Sequence, residues 1–189
     1  MLGPGGKLEI ENFQFSFCNP HRSRVCCRGL VLRSEVRFGM ALSMELGKPY
    51  QGAFVNNAHY FALRVYIEDT DLGGVVYHAN YLRYLERARS DLLRLIGIDQ
   101  RAAIESGQGV YAVTEAHVNY RKPARLDDEL AVVSRLEEVG GASCVIHQKI
   151  IRGQDVVVDA TITVAFLGAD GRPKRHPPEW AQKFKRMQA

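Results

Sequence analysis

Tyr77–Gly97, YHANYLRYLERARSDLLRLIG, decides the fold. Tyr77, Tyr81, Leu85, Ala88, Leu92 and Ile96 recur every three to four residues. Arg83, Glu86, Arg87, Ser90 and Arg94 fill the opposite side. That periodicity predicts one amphipathic helix over 77–96. Gly97 stands where a glycine ends a helix in the left-handed conformation. At 1.5 Å per residue, such a helix reaches about 30 Å.

The flanks read as strands. Upstream, Tyr60–Ile67 alternates, with Phe61, Leu63, Val65 and Ile67 on one face. Downstream, Asp99–Ser106 suits a short second helix, and four alternating runs follow: Val110–Tyr120, Asp128–Val139, Ala142–Arg152 and Val156–Leu167. Gly140–Gly141 and Gly153–Gln154–Asp155 separate the last three as tight turns, which impose antiparallel pairing. In the last run Val156, Val158, Ala160, Ile162, Val164 and Phe166 share a face. Pro177–Pro178–Glu179 opens a final helix carrying Trp180 and Phe184. The expected architecture is α+β: a curved, five-stranded antiparallel sheet with one long helix on its concave face.

Composition bounds the rest. The chain has 189 residues, 46% hydrophobic, enough for a real core. No apolar run approaches the ~18 residues of a membrane span. The net charge of +4 suits an anionic ligand or an anionic surface and is too weak to indicate nucleic acid. Cys18, Cys26, Cys27 and Cys144 form no CxxC pair, and the six histidines show no HxxxH spacing, so neither a disulfide framework nor a metal site is expected. Reduced thiols fit a cytoplasmic protein.

Residues 1–57 lack sustained periodicity and hold Gly3-Pro4-Gly5-Gly6 and five scattered arginines. They read as a disordered extension or as non-native sequence upstream of a start at Met40 or Met44. The domain is expected over 58–168, followed by a basic tail with a short helix over 169–189.

The chemistry concentrates in Glu68–Tyr81, EDTDLGGVVYHANY. An acid-rich turn passes through two glycines into a helix start, whose free N–H groups can hold an oxyanion. Asp71 in that turn is a candidate base or nucleophile, and Tyr77 and His78 add polar groups at the same end. The plainer reading is that such acids only bond turn amides, as Asp69 is expected to do. No GxSxG elbow is present to suggest a serine hydrolase. Arg121-Lys122-Pro123-Ala124-Arg125 follows a strand as a basic loop, and Arg172, Lys174, Arg175, Lys183, Lys185 and Arg186 make the C-terminal stretch basic.

Val65–Arg89, VYIEDTDLGGVVYHANYLRYLERAR, closely resembles the signature of the YbgC-type acyl-CoA thioesterases, the Tol–Pal-associated branch of the 4-hydroxybenzoyl-CoA thioesterase family. The similarity continues through Val118–Leu130, VNYRKPARLDDEL, and more loosely to about residue 168. The resemblance implies a hotdog fold, acyl-CoA substrates of short to medium chain, and no cofactor or metal. It implies a homodimer or homotetramer, with acyl carrier protein or the inner-membrane surface as further partners. It places the essential carboxylate at Asp71 and an oxyanion-binding amide at or beside His78; Tyr77, by its position at the same helix end, is counted with them in the expected catalytic group. Gly74, Val75, Arg121 and Lys122 are the expected substrate contacts. The wider family often has Pro after the aspartate, where this chain has Leu72. A non-catalytic acyl-binding or adaptor role in the Tol–Pal system is the alternative.

Overall fold

The computed structural model describes residues 51–188. The elements run β1 (Ala53–Val55), β2 (Ala58–Arg64), a single 3-10 turn (Ile67–Asp69), α1 (His78–Leu95), α2 (Gln100–Glu105), β3 (Val110–Tyr120), β4 (Glu129–Val139), β5 (Ser143–Arg152), β6 (Asp155–Leu167) and α3 (Pro178–Gln188). The strands form one sheet in the order β1-β2-β4-β5-β6-β3, antiparallel throughout.

The sheet has six strands among the described residues, not five. The additional one, β1, pairs with β2 across a two-residue turn. Asn56 and Asn57 both take positive φ there (47° and 59°), as hairpins of this length require. Three exposed residues carry no alternation, which is why β1 was invisible in a stretch read as patternless. Residues 1–50 of that stretch lie outside the described residues. A second correction concerns Ile67. Strand β2 ends at Arg64, and Ile67 sits in the 3-10 turn, largely exposed.

Helix α1 forms where the periodicity placed it, one residue shorter at each end. Asp99 caps α2 by accepting the Ala102 N–H at 3.0 Å. Tyr81, Tyr84, Leu85, Ala88 and Leu92 of α1 join one core with Phe61 of β2, Val132 of β4, Ile146 and Ile150 of β5, and Val158 and Ile162 of β6. Burying an aliphatic side chain of this kind contributes roughly 1.5–3 kcal/mol, so the stripe anchors the helix to the sheet far more strongly than helical propensity does.

The buried face of α1 is not purely apolar. Asn80, Arg89 and Asp91 are buried in it too. Arg89 donates to Gln148 Oε1 and Glu86 Oε2, both at 2.7 Å, and the Gln148 amide donates on to Ser134 Oγ and the Leu85 carbonyl. Asp91 accepts from the Gly52 N–H at 2.8 Å and meets His59 Nε2 at 2.9 Å. These contacts fix the helix in rotation on the sheet, because a polar group buried without its partner costs about 1–3 kcal/mol.

Helix α3 packs into the body rather than trailing from it. Trp180 and Phe184 are buried, with ring centroids near those of Tyr111, Phe166 and His176. Lys183 Nζ donates to the Gly97 carbonyl at 2.7 Å and Lys174 Nζ to the Gln108 carbonyl at 3.0 Å. Two of the C-terminal basic groups are therefore used inside the fold, one of them at the C-terminal end of α1, where a cation is favoured. No helix of the described residues is long and apolar enough to cross a membrane.

Candidate active site

The segment between the 3-10 turn and α1 closes on itself through its backbone. The Asp71 N–H donates to the Val75 carbonyl at 2.9 Å, and the Gly74 N–H donates to the Asp71 carbonyl at 3.0 Å. Gly74 has φ +70°, a conformation in which a Cβ is strained. The turn is then tied down on both flanks. The Val76 N–H donates to the Ala124 carbonyl at 2.8 Å, and the Tyr77 N–H donates to the Asp69 carbonyl at 2.9 Å.

The two acids of the Asp-x-Asp pair have different surroundings. Asp69 is buried and accepts the Tyr66 N–H at 2.9 Å, while its carbonyl also takes the Asn80 side-chain amide at 2.9 Å. It holds the turn together. Nearby, the buried Tyr84 hydroxyl makes no hydrogen bond of good geometry among the described residues. Burial first, with the Asp69 carboxylate second, pushes that phenol above its ordinary range. Asp71 is exposed, and one of its oxygens accepts the Gly73 N–H at 2.7 Å. Its second oxygen has no hydrogen-bond partner among the described residues.

Helix α1 begins directly after Tyr77, which offers no side-chain cap. The Asn80 N–H already turns back to the Tyr77 carbonyl at 2.8 Å. The N–H groups of His78 and Ala79 have no partner among the described residues. They carry the partial positive charge of the helix start.

Beside this helix end lies an open cleft of ≈ 300 Å³, whose lining includes His78, Tyr81, Tyr120, Arg121 and Lys122. The His78 ring stands 4.4 Å from that of Tyr77 and 6.4 Å, edge-on, from that of Tyr120. The Tyr81 hydroxyl accepts the Ala124 N–H at 3.0 Å. Ala124 is thus held on both sides, by Tyr81 and by Val76, and the basic loop is bolted to the helix start. Arg121 makes no ion pair among the described residues. Lys122 does: its ammonium meets Asp155 Oδ1 at 2.6 Å, and that bond and charge hold the Asp155 carboxyl below the usual range.

The structure therefore brings His78, Arg121 and Lys122 together in the cleft, sets the Tyr77 ring beside that of His78 but outside the cleft lining, and puts Asp71 on the adjoining turn, also outside the cleft wall. The Gly74 N–H and Val75 carbonyl are spent on closing that turn, so these residues shape it. Sequence reasoning missed Tyr120, Asn80 and the Ala124 clamp. Asn80 carried a signal, as a polar residue falling on the apolar stripe of α1. Ala124 carried none, because its role is entirely backbone.

The chain belongs to the thioesterase-like superfamily, whose family model matches residues 65–184. Among its relatives is the acyl-CoA thioesterase YbgC of Haemophilus influenzae, 40% identical over 113 residues, which span 60% of this chain and 83% of that one. The acyl-CoA thioester hydrolase YbgC of Escherichia coli O6:H1 is 34% identical over 125 residues, 65% of this chain and 92% of that one. The crystal structure of a probable thioesterase from Bartonella henselae superposes with a TM-score of 0.61 at 35% identity, covering 64% of this chain and 99% of that one.

Proposed function

We infer that this chain is an acyl-CoA thioesterase, hydrolysing the thioester to a free acid and CoA, with short- to medium-chain acyl groups as substrates. The observation that carries the mechanism is the pair of free N–H groups at His78 and Ala79, held beside a turn that presents the exposed Asp71 carboxylate. The thioester carbonyl oxygen sits on those N–H groups, which stabilise the oxyanion as the carbonyl carbon becomes tetrahedral. Asp71 either attacks that carbon, displacing the CoA thiolate and leaving a mixed anhydride that water then cleaves to the free acid and the restored Asp71 carboxylate, or removes a proton from the water that attacks the carbonyl carbon as the thiolate leaves. A thiolate leaves readily, so a carboxylate and an oxyanion site suffice. Tyr77 and His78 orient the acyl carbonyl, and Gly74 and Val75 hold the turn beneath it. Arg121 and Lys122 take the CoA phosphates, with Lys122 exchanging Asp155 for the ligand.

We place the hydrolase in a homo-oligomer with a sheet curved around α1. The support is β3, an edge strand of 11 residues whose Val110, Val113 and Tyr120 are exposed. The test is turnover of a panel of acyl-CoAs by the native chain and by Asp71→Asn. The native chain should hydrolyse them. The variant should keep its circular dichroism and thermal midpoint and lose at least about 10²-fold in kcat. Near-native turnover by Asp71→Asn would remove this carboxylate from the chemistry.

A further inference from the structure

The β5–β6 hairpin ends beside the basic loop. Arg152, the last residue of β5, faces Asp155, the first of β6, across a two-residue turn. Gly153 takes φ +58° there, as tight hairpin turns favour. The loop after β3 runs back along β6, because the N–H groups of Arg121 and Lys122 both donate to the Val157 carbonyl, at 2.8 and 3.2 Å. That course carries the Lys122 ammonium onto Asp155 Oδ1.

Arg152 reaches the loop and the carboxylate at once. Its Nη1 donates to Asp128 Oδ2 at 2.6 Å and to the Pro123 carbonyl at 3.2 Å. The same Asp128 oxygen accepts the Arg125 N–H at 2.8 Å. The loop is therefore pinned at Pro123 directly and at Arg125 through Asp128. The other arm of the guanidinium, Nη2, lies 3.8 Å from Asp155 Oδ2. That is an ion contact and too long for a hydrogen bond. Asp155 thus stands between two cations, bonded to Lys122 through one oxygen and only approached by Arg152 at the other.

We propose that Arg152 is a positioning residue for CoA: it receives the Asp155 carboxylate when Lys122 turns to a phosphate, and it holds the loop in place while that happens. The proposal deepens the reading above, in which Lys122 gives up Asp155 for the ligand. Without a second cation, the released carboxylate would face the arriving phosphates and repel them. With Arg152 in place, closing the 3.8 Å contact to the ~2.8 Å of a charge-assisted hydrogen bond needs a movement of about 1 Å. The fork of the guanidinium suits the task, since one arm stays on the loop while the other takes the carboxylate. An ammonium is a single point charge and cannot span both.

The experiment measures the Kd for CoA by calorimetry, and kcat and KM for one acyl-CoA and for the matching acyl-pantetheine thioester, which lacks the nucleotide and its phosphates. The chains compared are the native one, Asp155→Asn, Arg152→Gln and Arg152→Lys. Asp155→Asn should lower the CoA Kd and the acyl-CoA KM roughly two- to fivefold, the scale of one exposed ion pair, because Lys122 is freed and a repelling charge is gone. Arg152→Gln should raise both by a similar factor, and Arg152→Lys should behave more like Arg152→Gln than like the native chain. Most of the Arg152→Gln loss should vanish in the Asp155→Asn background, since the two groups act through one contact. The acyl-pantetheine thioester should respond to none of these changes, whereas a merely structural defect would slow both substrates alike. Asp155 has a side chain 44% exposed, so Asp155→Asn keeps the test open should Arg152→Gln fail to fold. Equal effects on the two thioesters, or weaker CoA binding by Asp155→Asn, would overturn the proposal and leave the hydrolase standing. CoA affinities that move in opposite directions in a chain that cleaves no acyl-CoA would keep the exchange at Asp155 and sink the hydrolase.

Discussion

In the proposed mechanism Asp71 and His78 divide the chemistry between a side chain and a backbone. The carboxylate of Asp71 is exposed and keeps one oxygen free, whereas Asp69, two residues earlier, is buried and occupied by the Tyr66 N–H. His78 sits at the first position of α1, where its amide is free whatever its side chain is. His78→Ala should therefore retain the oxyanion contact and lose less activity than Asp71→Asn, measured as kcat under saturating substrate. Equal losses in two folded variants would mean that the imidazole acts directly on the reacting atoms. The adjacency of the acid turn and the helix start was legible in the signature segment, because the acid-glycine-helix order places a carboxylate and a helix start side by side. The sequence did not reveal that Ala124 ties them to the basic loop, since its two hydrogen bonds use main-chain atoms that any residue but proline could supply.

At the level of elements, helices and long strands were readable because each buries a continuous apolar face, and what stayed hidden lacks one. β1 is too short to alternate. β3 is the exception among the readable strands: its alternation showed in the sequence, yet it lies at the edge of the sheet and is mostly exposed. The polar groups of α1 were also unreadable as core: Arg89 and Asp91 look like solvated positions until their partners on β5 and β2 are known. The His59–Asp91 contact between β2 and α1 makes stability pH-dependent. Burial holds the His59 pKa below its ordinary value, outweighing the opposing pull of Asp91. The unfolded chain, with histidine near about 6.5, then binds a proton more readily than the folded one. The contribution of His59 is complete above that value and is lost as pH falls below it toward the folded pKa. The thermal midpoint should fall more steeply from pH 7 to pH 5 in the native chain than in His59→Gln; parallel curves would show that His59 does not titrate in this window. Helix α3 gives a second prediction at this scale. Trp180 packs against Phe166 and Tyr111, so Trp180→Ala should cost about 3–5 kcal/mol of unfolding free energy in a denaturant titration. A loss below about 1 kcal/mol would mean that α3 rests on the surface.

For the whole molecule the decisive feature is the inequality of the two sheet edges. One edge is β1, three residues long, a length that offers little to an incoming strand. The other is β3, 11 residues long, mostly exposed, and bearing Val110, Val113 and Tyr120 on its surface. A long apolar edge with unpaired backbone groups is an aggregation hazard unless something covers it, and a second copy is the simplest cover. In the homo-oligomer we propose, two such edges meet about a two-fold axis, each β3 pairing with the other. The consequence reaches the chemistry, because Tyr120 ends β3 and Arg121 follows it into the cleft beside His78. In that proposed assembly a copy docked on β3 brings its own loops toward the CoA end of the site. Light scattering should give at least twice the chain mass at assay concentration. Ala116→Lys, which puts a charge on an exposed position in the middle of β3, should shift the protein toward monomer and lower kcat/KM in step with dissociation. An active monomer, or an Ala116→Lys monomer with native kcat/KM, would show that one chain carries a complete site.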